Sequence, residues 1–173
     1  MPIDTTYYGD IDDANEYFAA RLHELAWSEA EPTDWPKALW AATQIIDTLN
    51  YKGNKATVHT LLTNNPDATE EEIRAAEAEQ PLEFPRGNDT EVPEAILRAC
   101  FEIAHSLLDG KDPEIELENL GVISQGYSSV RTTYQRSQVP IEHLINGVPN
   151  AMAWRLIRPF LRDGDAIKVS RVS

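Results

Sequence analysis

Sulfur is scarce in this sequence, which contains one cysteine, Cys100, and two methionines. A lone cysteine excludes an internal disulfide, and a chain of 173 residues can bury about 70% of its unfolded surface without one. Apolar residues recur at helical spacing around the thiol: Ile96, Ala99, Ile103 and Leu107. This pattern favours a buried structural thiol over a nucleophile with a lowered pKa. We predict a single domain that needs neither a disulfide nor a metal ion.

Long apolar runs are absent as well. The longest, at 38–42 and 151–157, fall far short of the ~20 residues that a membrane-spanning helix requires. The amino terminus lacks the basic and apolar regions of a secretory signal. We therefore expect no membrane contact, and synthesis in a reducing cytoplasm.

Recognisable catalytic and ligand-binding motifs are missing. None of the histidines has the spacing of a metal site: His23, His59, His105 and His143. Acidic clusters such as 70–72 lack the ligand pattern and the central glycine of a calcium loop, and no phosphate-binding loop is present. We expect no metal, no cofactor and no catalytic residue, and predict that the protein is not an enzyme. A metal-dependent nuclease is the more remote alternative.

Positive charge is scarce in most of the chain. Residues 1–120 contain 8 Lys and Arg against 26 Asp and Glu, net -18, whereas residues 121–173 contain 7 against 3, net +4. An acidic body with a short basic end offers complementary surfaces to copies of itself or to a partner. This charge split predicts an assembly component.

Helix signals dominate what is present. Capping residues, prolines in first turns and apolar periodicity indicate helices. The predicted helices cover roughly 10–27, 33–49, 69–80, 92–108, 112–119 and 150–162. Connectors are predicted at 51–66 and 135–148, and two prolines make 80–87 a fixed loop.

Extended structure is predicted in two places. β-branched and aromatic residues at 121–134 indicate a small β-hairpin, and 166–173 is predicted to be an extended carboxyl-terminal arm. We therefore expect a mainly α fold, a helical bundle of about four main helices. The helices and the hairpin form one domain, 1–165, and the arm follows it.

Five arginines gather in the basic end: Arg131, Arg136, Arg155, Arg158 and Arg162. The last three are spaced three and four residues apart on a predicted helix, and so share one face. They could contact phosphate groups or the carboxylates of a neighbouring subunit. We prefer the second interpretation because carboxylates are so abundant in this chain.

The arm alternates apolar and polar residues: Ile167, Lys168, Val169, Ser170, Arg171, Val172 and Ser173. It cannot bury its apolar side alone. Such a segment is either a frayed end or a strand that adds to the sheet edge or groove of a partner, and the alternation does not decide between them.

Four tryptophans raise the question of a platform on which single-stranded bases stack. Three of them lie among acidic residues, and a body of net -18 repels a phosphate backbone. We therefore interpret all four as core residues: Trp27, Trp35, Trp40 and Trp154.

Four segments together carry a resemblance to a known family. They are DIDDANEYF at 10–18, AATQIIDTLNYKG at 41–53, LEFPR at 82–86 and VPEAI at 92–96. As an ordered set they resemble the head-to-tail adaptor proteins of tailed bacteriophages, many of which are described as having a DnaT-like single-stranded DNA-binding domain. The resemblance spans most of residues 10–162.

The resemblance implies a structural virion protein at the head-to-tail interface, or neck, of the particle. A ring of about twelve copies would dock on the portal protein, continue the DNA channel and carry the next tail component, whether a nozzle, a tail terminator or a tail tube. Residues Ile167 to Ser173 would be the portal-binding arm. Genomic DNA would pass without specific binding, since an acidic lining repels phosphate. A primosome-like single-stranded DNA-binding module is the alternative.

Overall fold

The computed structural model describes residues 6–119, 124–127, 130–133 and 142–162. Within these ranges the chain is mainly helical, which confirms the mainly α part of the predicted fold. The α-helices are α1 (Ile11–Ala19), α2 (Leu25–Ser28), α3 (Trp35–Asp47), α4 (Ala56–Asn64), α5 (Glu70–Glu79), α6 (Glu94–Leu108), α7 (Pro113–Asn119), α8 (Glu142–Ile145) and α9 (Ala151–Ile157). A 3-10 turn, η1 (Arg158–Phe160), follows α9 directly.

Two strands of four residues, β1 (Ser124–Tyr127) and β2 (Val130–Thr133), pair antiparallel with Ser124 opposite Thr133. The residues that would connect them, 128–129, and the ends of the predicted segment, 121–123 and 134, lie outside the described residues, as does the arm at 166–173. The hairpin and the arm therefore stay predictions.

Helix α6 is the centre of the fold, because it packs against α1, α2, α3 and α9. Its residues from Ala99 to Ser106 are all buried, and Ile96, Ala99 and Ile103 are fully inaccessible. Helices α3 and α9 add their own apolar stripes to this core, with Leu39, Ala42 and Ile46 from the first and Ala153 and Ile157 from the second. The periodicity predicted for α3 and α6 is confirmed.

The first predicted helix is not continuous, so the prediction of one helix over about 10–27 is wrong. Helix α1 ends at Ala19, and α2 begins only at Leu25. Between them His23 adopts a positive φ of 58°, and the backbone carbonyl of His23 accepts a hydrogen bond from Arg21. The side chains of Leu22 and Leu25, which periodicity assigns to the core, are 83% and 64% exposed.

The predicted connector at 51–66 contains α4, which the sequence patterns did not indicate. Helix α4 packs against α5, and only Val58 of α4 is buried. The helix predicted over 69–80 is present as α5, and it begins with a capping box formed by Thr69 and Glu72.

The last helix is shorter than predicted. Helix α9 ends at Ile157, because Pro159 has no N–H to donate to the preceding turn; Arg158 keeps helical backbone geometry, and the chain continues as the 3-10 turn η1 until Leu161 becomes extended. The chain then runs beside the segment after α3, where Leu161 pairs with Tyr51 and the backbone N–H of Arg162 donates to the carbonyl of Asn50 at 3.0 Å. No helix in the described ranges has both the length and the apolar character needed to cross a lipid bilayer.

Candidate interaction surfaces

The structure describes the side chains of three predicted contact arginines. Arg155 and Arg158 extend into solvent, whereas Arg162 hydrogen-bonds the backbone after α3. Arg155 on α9 is exposed and has no ion pair among the described residues. Arg158 is exposed and its Nε lies 3.8 Å from Oε2 of Glu142. The Nε of Arg162 donates to the carbonyl of Tyr51 at 2.9 Å. The expectation that all three share one helix face is therefore wrong for Arg162, because Pro159 ends the helix before it.

The side chains of the other predicted contact residues are outside the part of the chain that the structure describes. The side chain of Arg131, the whole of Arg136 and the predicted portal-binding arm, Ile167 to Ser173, lie outside the described residues.

The outward side of α9 is the surface that carries the exposed arginines. We define the α9 outer face by five exposed residues: Ala151, Met152, Arg155, Arg158 and Pro159. Met152 is 53% exposed, although methionine is an apolar residue. The opposite side of the helix, with Ala153, Trp154 and Ile157, is buried. The α9 outer face thus combines three apolar side chains, of which Met152 is the longest, with two cations.

At least seven of the eight Lys and Arg residues within 6–119 form ion pairs with carboxylates of the same range. These pairs are Arg21–Glu102, Lys37–Asp34, Lys55–Glu83, Arg74–Glu70, Arg86–Glu83, Arg98–Glu94 and Lys111–Asp109. Many exposed carboxylates have no such partner in these ranges, among them Asp12, Asp13 and Glu16 on α1. The body therefore presents a surplus of negative charge that it does not compensate itself.

A groove of about 580 Å³ runs between α1 and α6. We call it the α1–α6 groove. Partly buried Tyr17 and Leu97, together with buried Phe101, give it an apolar floor. Its rim is acidic on the α1 side, where Asp13 and Glu16 lie. An apolar floor beneath an acidic rim suits a partner that presents an apolar side chain beside cations.

Glu102 fixes the position of this groove relative to α9. The carboxylate is 1% exposed and accepts hydrogen bonds from Nε of Arg21 at 2.8 Å, from Nη2 of Arg21 at 2.9 Å and from the hydroxyl of Tyr17 at 2.7 Å. The amide nitrogen of Asn150 also donates to Oε2 of Glu102, at 3.1 Å. The oxygen of the same amide caps α9 by accepting from the backbone N–H groups of Met152 and Ala153. One buried carboxylate on α6 therefore holds α1 and the start of α9 together.

The protonation states of this cluster follow from its hydrogen bonds. Burial alone would raise the pKa of Glu102, but the hydrogen bonds from Arg21 and Tyr17 outweigh it and hold that pKa below the usual value. Burial and the hydrogen bond to Glu102 raise the pKa of Tyr17 to about 12. Nε2 of His105 lies 3.3 Å from Nη1 of Arg21, which can only donate, and the pKa of His105 is lowered by burial and by that guanidinium. Both observations favour the neutral form of His105 at neutral pH.

A second buried cluster ties residue 8 to the body. The hydroxyl of Tyr8 donates to Oδ1 of Asp47 at 2.5 Å and accepts from the backbone N–H of Phe84 at 3.2 Å. Burial raises the pKa values of both Tyr8 and Asp47. The cluster joins the segment before α1 to α3 and to the loop at 80–87.

Cys100 and two of the four tryptophans are buried, as the sequence predicts. Cys100 is fully buried, its Sγ lies 3.6 Å from the carbonyl of Leu39, and burial raises its pKa to about 12, so the predicted structural thiol is confirmed. Trp27 and Trp154 are buried as predicted, whereas Trp35 and Trp40 are only partly buried. The part of the chain that the structure describes contains no group of three or more His, Cys, Asp or Glu residues placed to hold a metal ion.

Sequence reasoning missed the Glu102 cluster and the α1–α6 groove. A signal for the first was present, because Glu102 lies within the apolar run of α6, where an unpaired carboxylate would be costly. Its partner Arg21 is 81 residues away, and no local pattern indicates that contact. In comparisons with known proteins, no protein-family model, no curated protein and no solved structure matches the chain.

Proposed function

We propose that the protein is a structural adaptor of the head-to-tail joint in a tailed-bacteriophage particle. Copies of the chain form a ring of about twelve that docks on the portal protein, continues the DNA channel and carries the next tail component. The protein acts by binding and contains no catalytic step. The likeness of segments 10–18, 41–53, 82–86 and 92–96 to such adaptors supports this proposal.

The observation that carries the proposal is the placement of the two charge classes. The body has exposed carboxylates without cationic partners in the described ranges, including Asp12, Asp13 and Glu16, while Arg155 on α9 and Arg158 in η1 face solvent. In a free chain both surfaces are exposed to water. In a closed ring with one type of contact, each subunit presents its cationic surface to the carboxylates of the next.

The same charge distribution suits a channel for DNA. The first 120 residues carry a net charge of -18, and carboxylates that line a channel repel the phosphate backbone. The repulsion reaches roughly 8 Å at physiological ionic strength, which is enough to keep a passing duplex from adhering to the wall. The channel therefore transmits DNA without gripping it.

The predicted arm and hairpin complete the proposal. Residues Ile167 to Ser173 anchor the ring to the portal by strand addition, with Ile167 and Val169 on one side of the strand and Lys168 and Ser170 on the other. The segment near 121–134 forms a small hairpin beside the bundle of about four main helices.

The test is retention of the full chain by the portal protein encoded in the same phage genome, followed by electron microscopy of the complex. We expect a ring coaxial with the portal. A chain that ends at Asp165 should fold but lose attachment, and Arg155→Glu with Arg158→Glu should impair ring formation. Lys37→Glu is the matched control, because Lys37 is an exposed cation on α3 and is not part of the α9 outer face.

Absence of portal retention by the full chain would refute the adaptor proposal. Retention of a single-stranded oligonucleotide that weakens steeply with added salt would instead support the DNA-binding alternative.

A further inference from the structure

We propose that the α9 outer face of one copy docks into the α1–α6 groove of a second copy. The idea rests on the proposed function in one respect, since the contact joins neighbouring subunits of the ring. It commits to a specific pair of surfaces that the adaptor proposal leaves open.

The groove supplies the acceptor surface. Its floor of Tyr17, Leu97 and Phe101 is apolar, and a volume of about 580 Å³ has room for more than one side chain. On the α6 side of the rim, Nη2 of Arg98 lies 2.5 Å from Oε1 of Glu94, so the two charges offset each other. Asp13 and Glu16 on the α1 side have no ion pair in the described ranges, and they set the sign of the groove.

The α9 outer face supplies the matching surface. Met152 is 53% exposed, and Arg155 follows it on the same side of the helix, three residues later. Methionine adapts well to an irregular apolar floor, and an arginine beside it reaches a carboxylate at the rim. Arg158 adds a second cation. Its contact with Glu142 is 3.8 Å long and exposed, so it can be exchanged at little cost.

The two surfaces of one chain cannot meet each other. Asn150, immediately before α9, and Tyr17 and Arg21, at the groove, are all bound to Glu102, which fixes α9 and α1 on α6. The inner side of α9, with Trp154 and Ile157, packs on the body, so Met152 and Arg155 face away from it. A chain therefore carries both halves of the contact and can complete them only with another copy.

Engineered cysteines test the contact in the full chain. Ala20→Cys places a thiol at the groove without altering its charge, and Met152→Cys places one on the α9 outer face. The native Cys100 is fully buried, so it stays silent in such an experiment. Thr60→Cys, at an exposed position on α4, is the control partner for Met152→Cys.

We expect mixed Ala20→Cys and Met152→Cys proteins to form a disulfide-linked species of twice the 19.4 kDa chain mass under mild oxidation. Its yield should exceed that of the control pair by about tenfold, because docking raises the effective concentration of the two thiols. Equal yields from the two pairs, both in the free protein and in the portal complex, would overturn the proposal.

Charge reversal tests the same contact independently, through its effect on the cross-linking yield. In the cysteine-bearing pair, Glu16→Arg or Arg155→Glu alone should lower the yield by about threefold, as expected for one partly exposed ion pair. The two reversals together, one on each protein, should restore it. Failure of the combination to recover the yield lost by the single changes would contradict the assigned pairing.

The outcomes separate this contact from the adaptor proposal. Cross-linking without portal retention would refute the adaptor and leave the contact standing. Portal retention by a ring whose subunits do not cross-link would support the adaptor and overturn the contact.

Discussion

Glu102 and Arg21 place opposite charges where little water reaches them. The carboxylate is 1% exposed and the guanidinium 23% exposed, and they form two hydrogen bonds shorter than 3 Å. Tyr17 and Asn150 satisfy the remaining acceptor positions. Removing water from a carboxylate is costly, so this arrangement is stable only when all of its partners are present.

Replacing Glu102 with alanine should therefore be strongly destabilising. We expect a loss of about 3 kcal/mol in the free energy of unfolding, the low end for a broken buried pair, because Arg21 keeps partial access to water. Denaturation in urea measures the loss. Glu94→Ala is the control, since its pair with Arg98 is exposed and should contribute less than about 1 kcal/mol. Similar losses in the two variants would show that the cluster does not fasten the fold.

The same cluster makes stability depend on pH. The folded-state pKa values of Glu102 and His105 lie below the ordinary 4.5 and 6.5, so the unfolded chain binds protons more readily than the folded chain. Stability is therefore lost as pH falls, first through the titration of His105 and then through that of Glu102. Unfolding free energies measured from about pH 7 to about pH 2 should decline, and Glu102→Gln should flatten the curve below the ordinary carboxyl pKa of 4.5. Identical slopes for both proteins would contradict the assignment.

The helices differ in how far local signals determine them. Helix α5 depends on its own sequence, because Thr69 Oγ1 accepts from the backbone N–H of Glu72 at 3.3 Å and the Glu72 carboxylate accepts from the backbone N–H of Thr69 at 2.7 Å. Only Ala76 of α5 is buried. Packing therefore contributes little to the stability of α5 beyond the contribution of the cap.

Replacing Thr69 with alanine should loosen α5 alone. The loss of the cap costs about 1 kcal/mol, which should appear as faster hydrogen exchange of the amides from Ile73 to Glu79. The exchange of α6 amides should not change. Thr60→Ala, at an exposed position on α4 that caps no helix, serves as the control. Faster exchange throughout the protein would mean that α5 is part of the cooperative core.

These differences explain which elements could be predicted. Helices α3 and α6 have proline at their starts and long apolar stripes, and both signals are local. The break between α1 and α2 depends on Arg21 turning towards Glu102 and towards the carbonyl of His23, which a pattern of neighbours cannot indicate. Helix α4 is rich in threonine and packs on α5, so its signal was weak.

The candidate surfaces, like the helices, could be predicted from sequence only where they depend on a local pattern. Arg155 and Arg158 could be found from sequence because cations at helical spacing are a local pattern. Pro159 was a visible stop signal that the prediction passed over, and for this reason Arg162 was placed wrongly. The α1–α6 groove joins residues about 80 positions apart, so only the folded chain shows it.

The described part of the chain carries the α9 outer face and the α1–α6 groove, which we propose bind each other in neighbouring copies. If charge draws them together, association should weaken as salt is added, because exposed ion pairs are screened beyond a Debye length of about 3 Å at 1 M salt. Sedimentation velocity of the full chain at about 0.05 and 0.5 M sodium chloride measures this effect. An interface dominated by apolar burial would instead hold or strengthen with salt.

The most direct measurement is an electron cryomicroscopy map of the full chain bound to the portal. The account predicts a ring in which Arg155 lies within about 4 Å of a carboxylate of the adjacent subunit, and Met152 lies on the groove floor. A ring in which Arg155 and Arg158 of every subunit face solvent would contradict it.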